Sequence, residues 1–113
     1  MQQLELFDYR RDYLFESENK IAHYYDVLKE SRDTISYSEH IYPNKGYAIC
    51  GMEYEEYVDV KKDRLKGLTY DQILMYLKNL KHEGRIDKYK AFLRSKNISF
   101  EADLFTWHNE DLN

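Results

Sequence analysis

Asp59-Val60-Lys61 sets an acid and a lysine two positions apart, the spacing found at the end of many metal-dependent nuclease sites. Such a site also needs an upstream acid at a strand end, and Glu53 and Glu55 suit that place poorly. The four histidines are His23, His40, His82 and His108, and no two of them share a helical turn. The single cysteine, Cys50, has no second thiol near it, so local spacing offers no zinc site. As a nucleophile Cys50 would need a distant histidine as its base. In the apolar run Tyr47-Ala48-Ile49-Cys50 a small buried thiol is the simpler expectation. There is no glycine-rich phosphate loop. These residues predict a protein that is not an enzyme and that needs no cofactor or metal.

Binding is the better reading of the composition. Tyrosine supplies 12 of the 113 residues. A tyrosine packs with its ring and wets its hydroxyl, which suits a shallow core or an interface. The charge is unevenly spread. Residues 1–60 hold 6 Lys/Arg against 13 Asp/Glu, residues 61–96 hold 11 against 4, and residues 97–113 hold none against 4. An acidic half therefore precedes a basic block, an asymmetry that can mark opposite faces for opposite partners. No apolar run is long enough to span a membrane, and no basic-then-apolar leader is present, so the expected compartment is the cytoplasm.

Three stretches are candidates for contact with partners. Gln3-Leu4-Glu5-Leu6-Phe7 resembles the peptide by which bacterial replication and repair proteins dock on the DNA polymerase sliding clamp, Gln-Leu followed by Ser or Asp and then Leu-Phe. The resemblance covers five residues, with Glu5 at the tolerant position. It implies that Leu6 and Phe7 fill a pocket, that Leu4 adds a contact, and that the Gln3 amide bonds the rim. Glu101-Ala102-Asp103-Leu104-Phe105 resembles a second form of that peptide, with Glu101 in place of the defining glutamine. Core packing by Leu104, Phe105 and Trp107 is expected there. The basic block supplies Lys61, Lys62, Arg64, Lys66, Lys78, Lys81, Arg85, Lys88, Lys90, Arg94 and Lys96, which on two successive helices would meet nucleic-acid phosphates.

The elements that position these residues read mainly as helix. Tyr9, Tyr13, Ile21, Tyr24, Tyr25 and Leu28 recur at spacings of three, four and seven, which predicts helix over 8–36, broken near Glu16-Ser17. Pro43-Asn44-Lys45-Gly46 is turn chemistry. Residues 47–50 and 57–60 read as a small β-hairpin, with a helix over 53–65 as the competing reading. Thr69-Tyr70-Asp71-Gln72 is a capping box that opens a helix over 68–83, ended by Gly84. A further helix over 86–96 ends at Asn97, and 98–107 is a final strand or arm. The expected fold is thus mainly α with one hairpin: a single compact domain of about four helices over 8–113, preceded by a peptide over 1–7.

The leading functional expectation is a small interaction protein, of a kind carried by phages and mobile elements, that docks on the sliding clamp through Gln3, Leu4, Leu6 and Phe7 and modulates replication or repair. The alternatives are an acidic, Tyr-rich inhibitor that mimics nucleic acid, resembling anti-CRISPR proteins in general character, and a DNA-binding regulator using 61–96.

Overall fold

The computed structural model describes residues 9–44 and 52–108, with 52–53 and 105–108 through their backbone. It overturns the helical expectation. Five antiparallel strands form one sheet in the order of the chain: β1 (Arg10–Glu18), β2 (Ala22–Glu30), β3 (Thr34–Pro43), β4 (Met52–Lys61) and β5 (Glu101–His108). Two helices, α1 (Tyr70–Lys78) and α2 (Arg85–Ser95), lie between β4 and β5 in sequence.

The predicted helix over 8–36 is instead β1, β2 and the start of β3. The tyrosine spacings that suggest a helix are also those of side chains scattered over both faces of strands, and aromatic residues favour strands. The deciding residues are in the turns. The Asn19 side-chain oxygen accepts from the backbone N–H of Ile21 and of Ala22, at 2.8 and 2.9 Å, and so fixes the β1–β2 turn. At the β2–β3 turn the Ser31 N–H donates to the Thr34 carbonyl at 2.9 Å. The competing helix over 53–65 is also excluded, because 52–61 is strand β4. Residues 45–51, including the proposed hairpin strand 47–50 and Cys50, lie outside the described residues.

The helical part of the prediction is closer. Thr69 and Gln72 form the capping box at the head of α1. That helix stops at Lys78, and Gly84 stands before α2 as its N-cap at φ 76°. Asn97, at φ 58°, closes α2 in the left-handed conformation, with the Ile98 N–H donating to the Leu93 carbonyl at 2.9 Å.

Both helices pack on the same side of the sheet. Leu28, Ile35, Tyr37, Val58 and Val60 meet Tyr70, Ile73, Leu74, Leu77, Ile86, Tyr89 and Leu93 in one core. The Tyr70 hydroxyl reaches across it, 2.7 Å from the Asp12 carboxylate and 3.0 Å from the Leu28 carbonyl oxygen. The register of β1 shifts at Leu14: Tyr13 faces Val27 while Phe15 faces Asp26. This bulge sends Leu14 against the core and brings Phe15 to the helix side. No described element packs on the other face of the sheet.

Candidate functional site

Strand register sorts the side chains by face, since residues directly opposite point the same way. The uncovered face carries Thr34 opposite Lys61 at one end and four further rows. Glu18, His23 and Tyr42 form one; Glu16, Tyr25, His40 and Glu55 the next; then Tyr13, Val27, Ser38, Tyr57 and Asp103; and finally Arg11, Lys29, Ser36, Asp59 and Glu101. The rings interact. Tyr25 stacks on His40 at 4.4 Å and meets Tyr13 edge-on at 5.7 Å, and His40 is 5.8 Å from Tyr42. Burial, helped by nearby Lys29, pushes His40 down to about 4, so at neutral pH its ring is uncharged. The acids gather at the β4–β5 end. Glu55, Asp59, Glu101 and Asp103 are there, and Asp59 stands directly opposite Glu101. Burial and the Glu101 charge both push the Asp59 carboxyl up.

That pair bears on the nuclease-like spacing. Asp59, Lys61 and Glu101 line one small cleft of about 150 Å³ with Arg64, Ser99 and Phe100. The acid that shares this cleft with Asp59 is Glu101, from β5.

A second polar group lies on the helix side, where the helical cover ends. Asp26, wholly buried, receives Arg85 Nη1 and His82 Nδ1 on its Oδ2, each at 2.7 Å. Its Oδ1 is buried with no partner. His82 is 31% exposed at its side chain, and its ring stacks on Phe15 at 4.0 Å, so the bulge at Leu14 is what places the ring's support. Glu39 faces Asp26 across β2–β3 and accepts the Tyr37 hydroxyl at 2.7 Å. Burial raises the Glu39 carboxyl to about 7, with the Asp26 charge adding to the rise. Burial and the adjoining carboxylates likewise push the Tyr37 phenol up. Asp26, Glu39 and His82 offer ligand atoms within 4.8 Å of one another. Separations of 13 and 43 positions in the chain hid this group from any reading of local spacing. The available signal was an acid, Asp26, in line with Tyr24 and Leu28 on the apolar side of a run.

The predicted partner residues Gln3, Leu4, Leu6 and Phe7 lie outside the described residues. The predicted nucleic-acid residues are divided by the fold. Arg85 is buried on Asp26 and turned away from solvent. Lys62 pairs with Glu30 at 2.6 Å, and Lys90 with Glu56 at 3.3 Å. Arg64 is exposed beside Asp63 at 3.7 Å, and Lys61 lines the cleft with Asp59. Lys66, Lys78, Lys81, Lys88, Arg94 and Lys96 are exposed on the helical side. Leu104, expected in the core, is 50% exposed. Among the described residues no helix is long and apolar enough to cross a membrane. Comparison with protein-family models, with curated proteins and with solved structures gives no match.

Proposed function

We propose that this is a binding protein whose working surface is the uncovered sheet face, and that its partner presents a basic groove of the kind that holds nucleic acid. One observation carries the reading: the uncovered face interleaves Glu16, Glu18, Glu55, Asp59, Glu101 and Asp103 with Tyr13, Tyr25, Tyr42 and Tyr57. Carboxylates at strand spacing give repeated negative charge, and tyrosines give large contact area at small entropic cost. The neutral His40 adds no positive charge to offset it. Arg11, Lys29 and Lys61 share that face and are outnumbered by its six carboxylates, while the exposed lysines of the helical segment stand on the opposite side. The reading supports an inhibitor that occupies the site of a nucleic acid, acting in the cytoplasm.

A second reading rests on Gln3-Leu4-Glu5-Leu6-Phe7, which would attach the chain to a sliding clamp. One experiment separates the two. The purified protein is titrated into a bacterial sliding clamp and into a set of purified nucleic-acid-binding proteins, at low and high salt, with duplex DNA as competitor. Mimicry gives binding that DNA displaces, that weakens steeply with salt, and that Glu55→Lys/Asp103→Lys abolishes. Clamp docking gives binding that resists salt and is lost in Leu6→Ala/Phe7→Ala. Binding of DNA by the protein alone would overturn the first reading and assign the lysine-bearing helices as a nucleic-acid surface.

A further inference from the structure

We infer that Asp26, Glu39 and His82 form a binding site for a divalent first-row transition ion such as Zn²⁺ or Mn²⁺. The donor set is two carboxylates and an imidazole, which suits such ions. The three ligand atoms already lie within 4.8 Å of one another. On a shared tetrahedral ion with bonds of about 2.1 Å they would be about 3.5 Å apart, so the side chains need close by only about an ångström. Three protein ligands leave a position for water.

Each ligand is held from behind. Phe15 stacks on the His82 ring. The Tyr37 hydroxyl donates to Glu39 Oε2 at 2.7 Å and leaves the other oxygen available. Arg85 Nη1 fixes Asp26 through Oδ2. Outer contacts of this kind orient ligands in metal sites.

The second observation is the free oxygen. Asp26 is 0% exposed, and its Oδ1 is buried with no hydrogen-bond partner. A buried lone-pair donor without a partner is costly and calls for something to satisfy it. An ion entering past the partly exposed His82 would lie beside it. On binding, His82 Nδ1 gives up the proton it now shares with Asp26 and turns its lone pair to the ion. That proton passes to Nε2 or to solvent, the proton that Glu39 carries below neutral pH is released to solvent as its oxygen takes the ion, and no electron changes hands. The Arg85 charge opposes the ion and holds the affinity below that of a site with two free carboxylates.

The site lies on the helical side of the sheet, so it stands or falls independently of the uncovered face. The test uses metal-stripped full-length protein, with Zn²⁺ alone and Co²⁺ alone as probes. Calorimetry is expected to show one ion per chain. Co²⁺ is expected to give the visible absorption of a four-coordinate ion, and Zn²⁺ to raise the melting temperature. His82→Ala and Glu39→Gln each abolish all three signals. His23→Ala leaves them intact, although it removes the imidazole of the other histidine–carboxylate pair, with Glu16 at 3.0 Å. Should His82→Ala fail to fold, Glu39→Gln decides alone, because the amide keeps the shape of the side chain. No uptake by the wild type, uptake that survives both substitutions, or loss in His23→Ala would overturn the assignment.

Discussion

The two faces of this sheet are made by the same five strands and treat their charged residues in opposite ways. On the helical side two buried or half-buried acids meet cations from the helical segment. Asp26 has Arg85 and His82, and Glu56 has Lys90. On the uncovered side Asp59 stands opposite Glu101, with Tyr57 opposite Asp103 in the next row. Like charges directly opposite one another destabilise a sheet. The buried acids of one face are therefore paired from within the chain, and the other face keeps more carboxylates than cations, six against Arg11, Lys29 and Lys61. On the function proposed above, that surplus of carboxylates is what a basic partner would meet.

The largest expected effect comes from breaking a pair on the helical side. Arg85→Met removes the cation from a wholly buried carboxylate while keeping most of the side-chain volume. The expected loss is about 3–5 kcal/mol, read by urea unfolding, because the remaining charge is trapped away from water. Adding Asp26→Leu should recover most of that loss, since an apolar pair has nothing left to desolvate. A loss under about 1 kcal/mol in Arg85→Met would show that Asp26 relies on His82, and the contrast between the faces would weaken.

Glu39 and His40 are adjacent on β3, on opposite faces, and give a smaller effect that sharpens the same comparison. Burial raises the Glu39 carboxyl to about 7, so the folded chain holds a proton there that the unfolded chain has released. That contribution is complete at low pH and is lost as pH rises from about 4.5 through 7. Burial lowers His40 to about 4, so the unfolded chain binds the proton first, and stability is lost as pH falls from about 6.5 through 4. In a chelating buffer, Glu39→Gln should gain about 1–2 kcal/mol on wild type between pH 5 and pH 8. That figure is the shift discounted for a partly exposed site. His40→Asn should gain a similar amount on going down from pH 7 to pH 4. Parallel pH profiles for wild type and both variants would mean that neither face perturbs its titrating group.

These faces were only partly legible in the sequence. The capping box of Thr69 and Gln72 marks the start of α1, and Asn97 the stop after α2, because a cap is a local interaction between residues three or four apart. The strands are hidden for a physical reason. Asp26 and Val27 are both buried, on opposite faces, so β2 lacks the alternation of apolar and polar residues that marks a strand with one wet side. The turn at Asn19 depends on one side chain bonding two backbone amides, and no proline or glycine announces it. The acidic half and the basic block were plain in composition. That the acids divide between the two faces, Glu16, Glu18, Glu55 and Asp59 on one and Asp12, Asp26, Glu30, Glu39 and Glu56 on the other, follows only from the register. The Asp26, Glu39 and His82 group needs two strands and a helix–helix connection to exist at all.

The smallest effect is the one that tests what the uncovered face is for. Glu101→Lys would place an ammonium opposite Asp59, where the native chain has a second carboxylate whose charge helps to raise the Asp59 carboxyl. Replacing a like-charge pair by an opposite-charge pair across two strands is worth a few tenths of a kcal/mol to about 1. The side chain is exposed, so nothing else in the core is disturbed. Stability should therefore rise by about 0.5 kcal/mol, while affinity for a basic partner falls and its salt dependence becomes shallower. A substitution that improves the fold and damages binding indicates a charge kept for function at the expense of stability. If Glu101→Lys lowers stability, the acids of β4 and β5 have a role inside the fold, and the uncovered face is less free than its register implies.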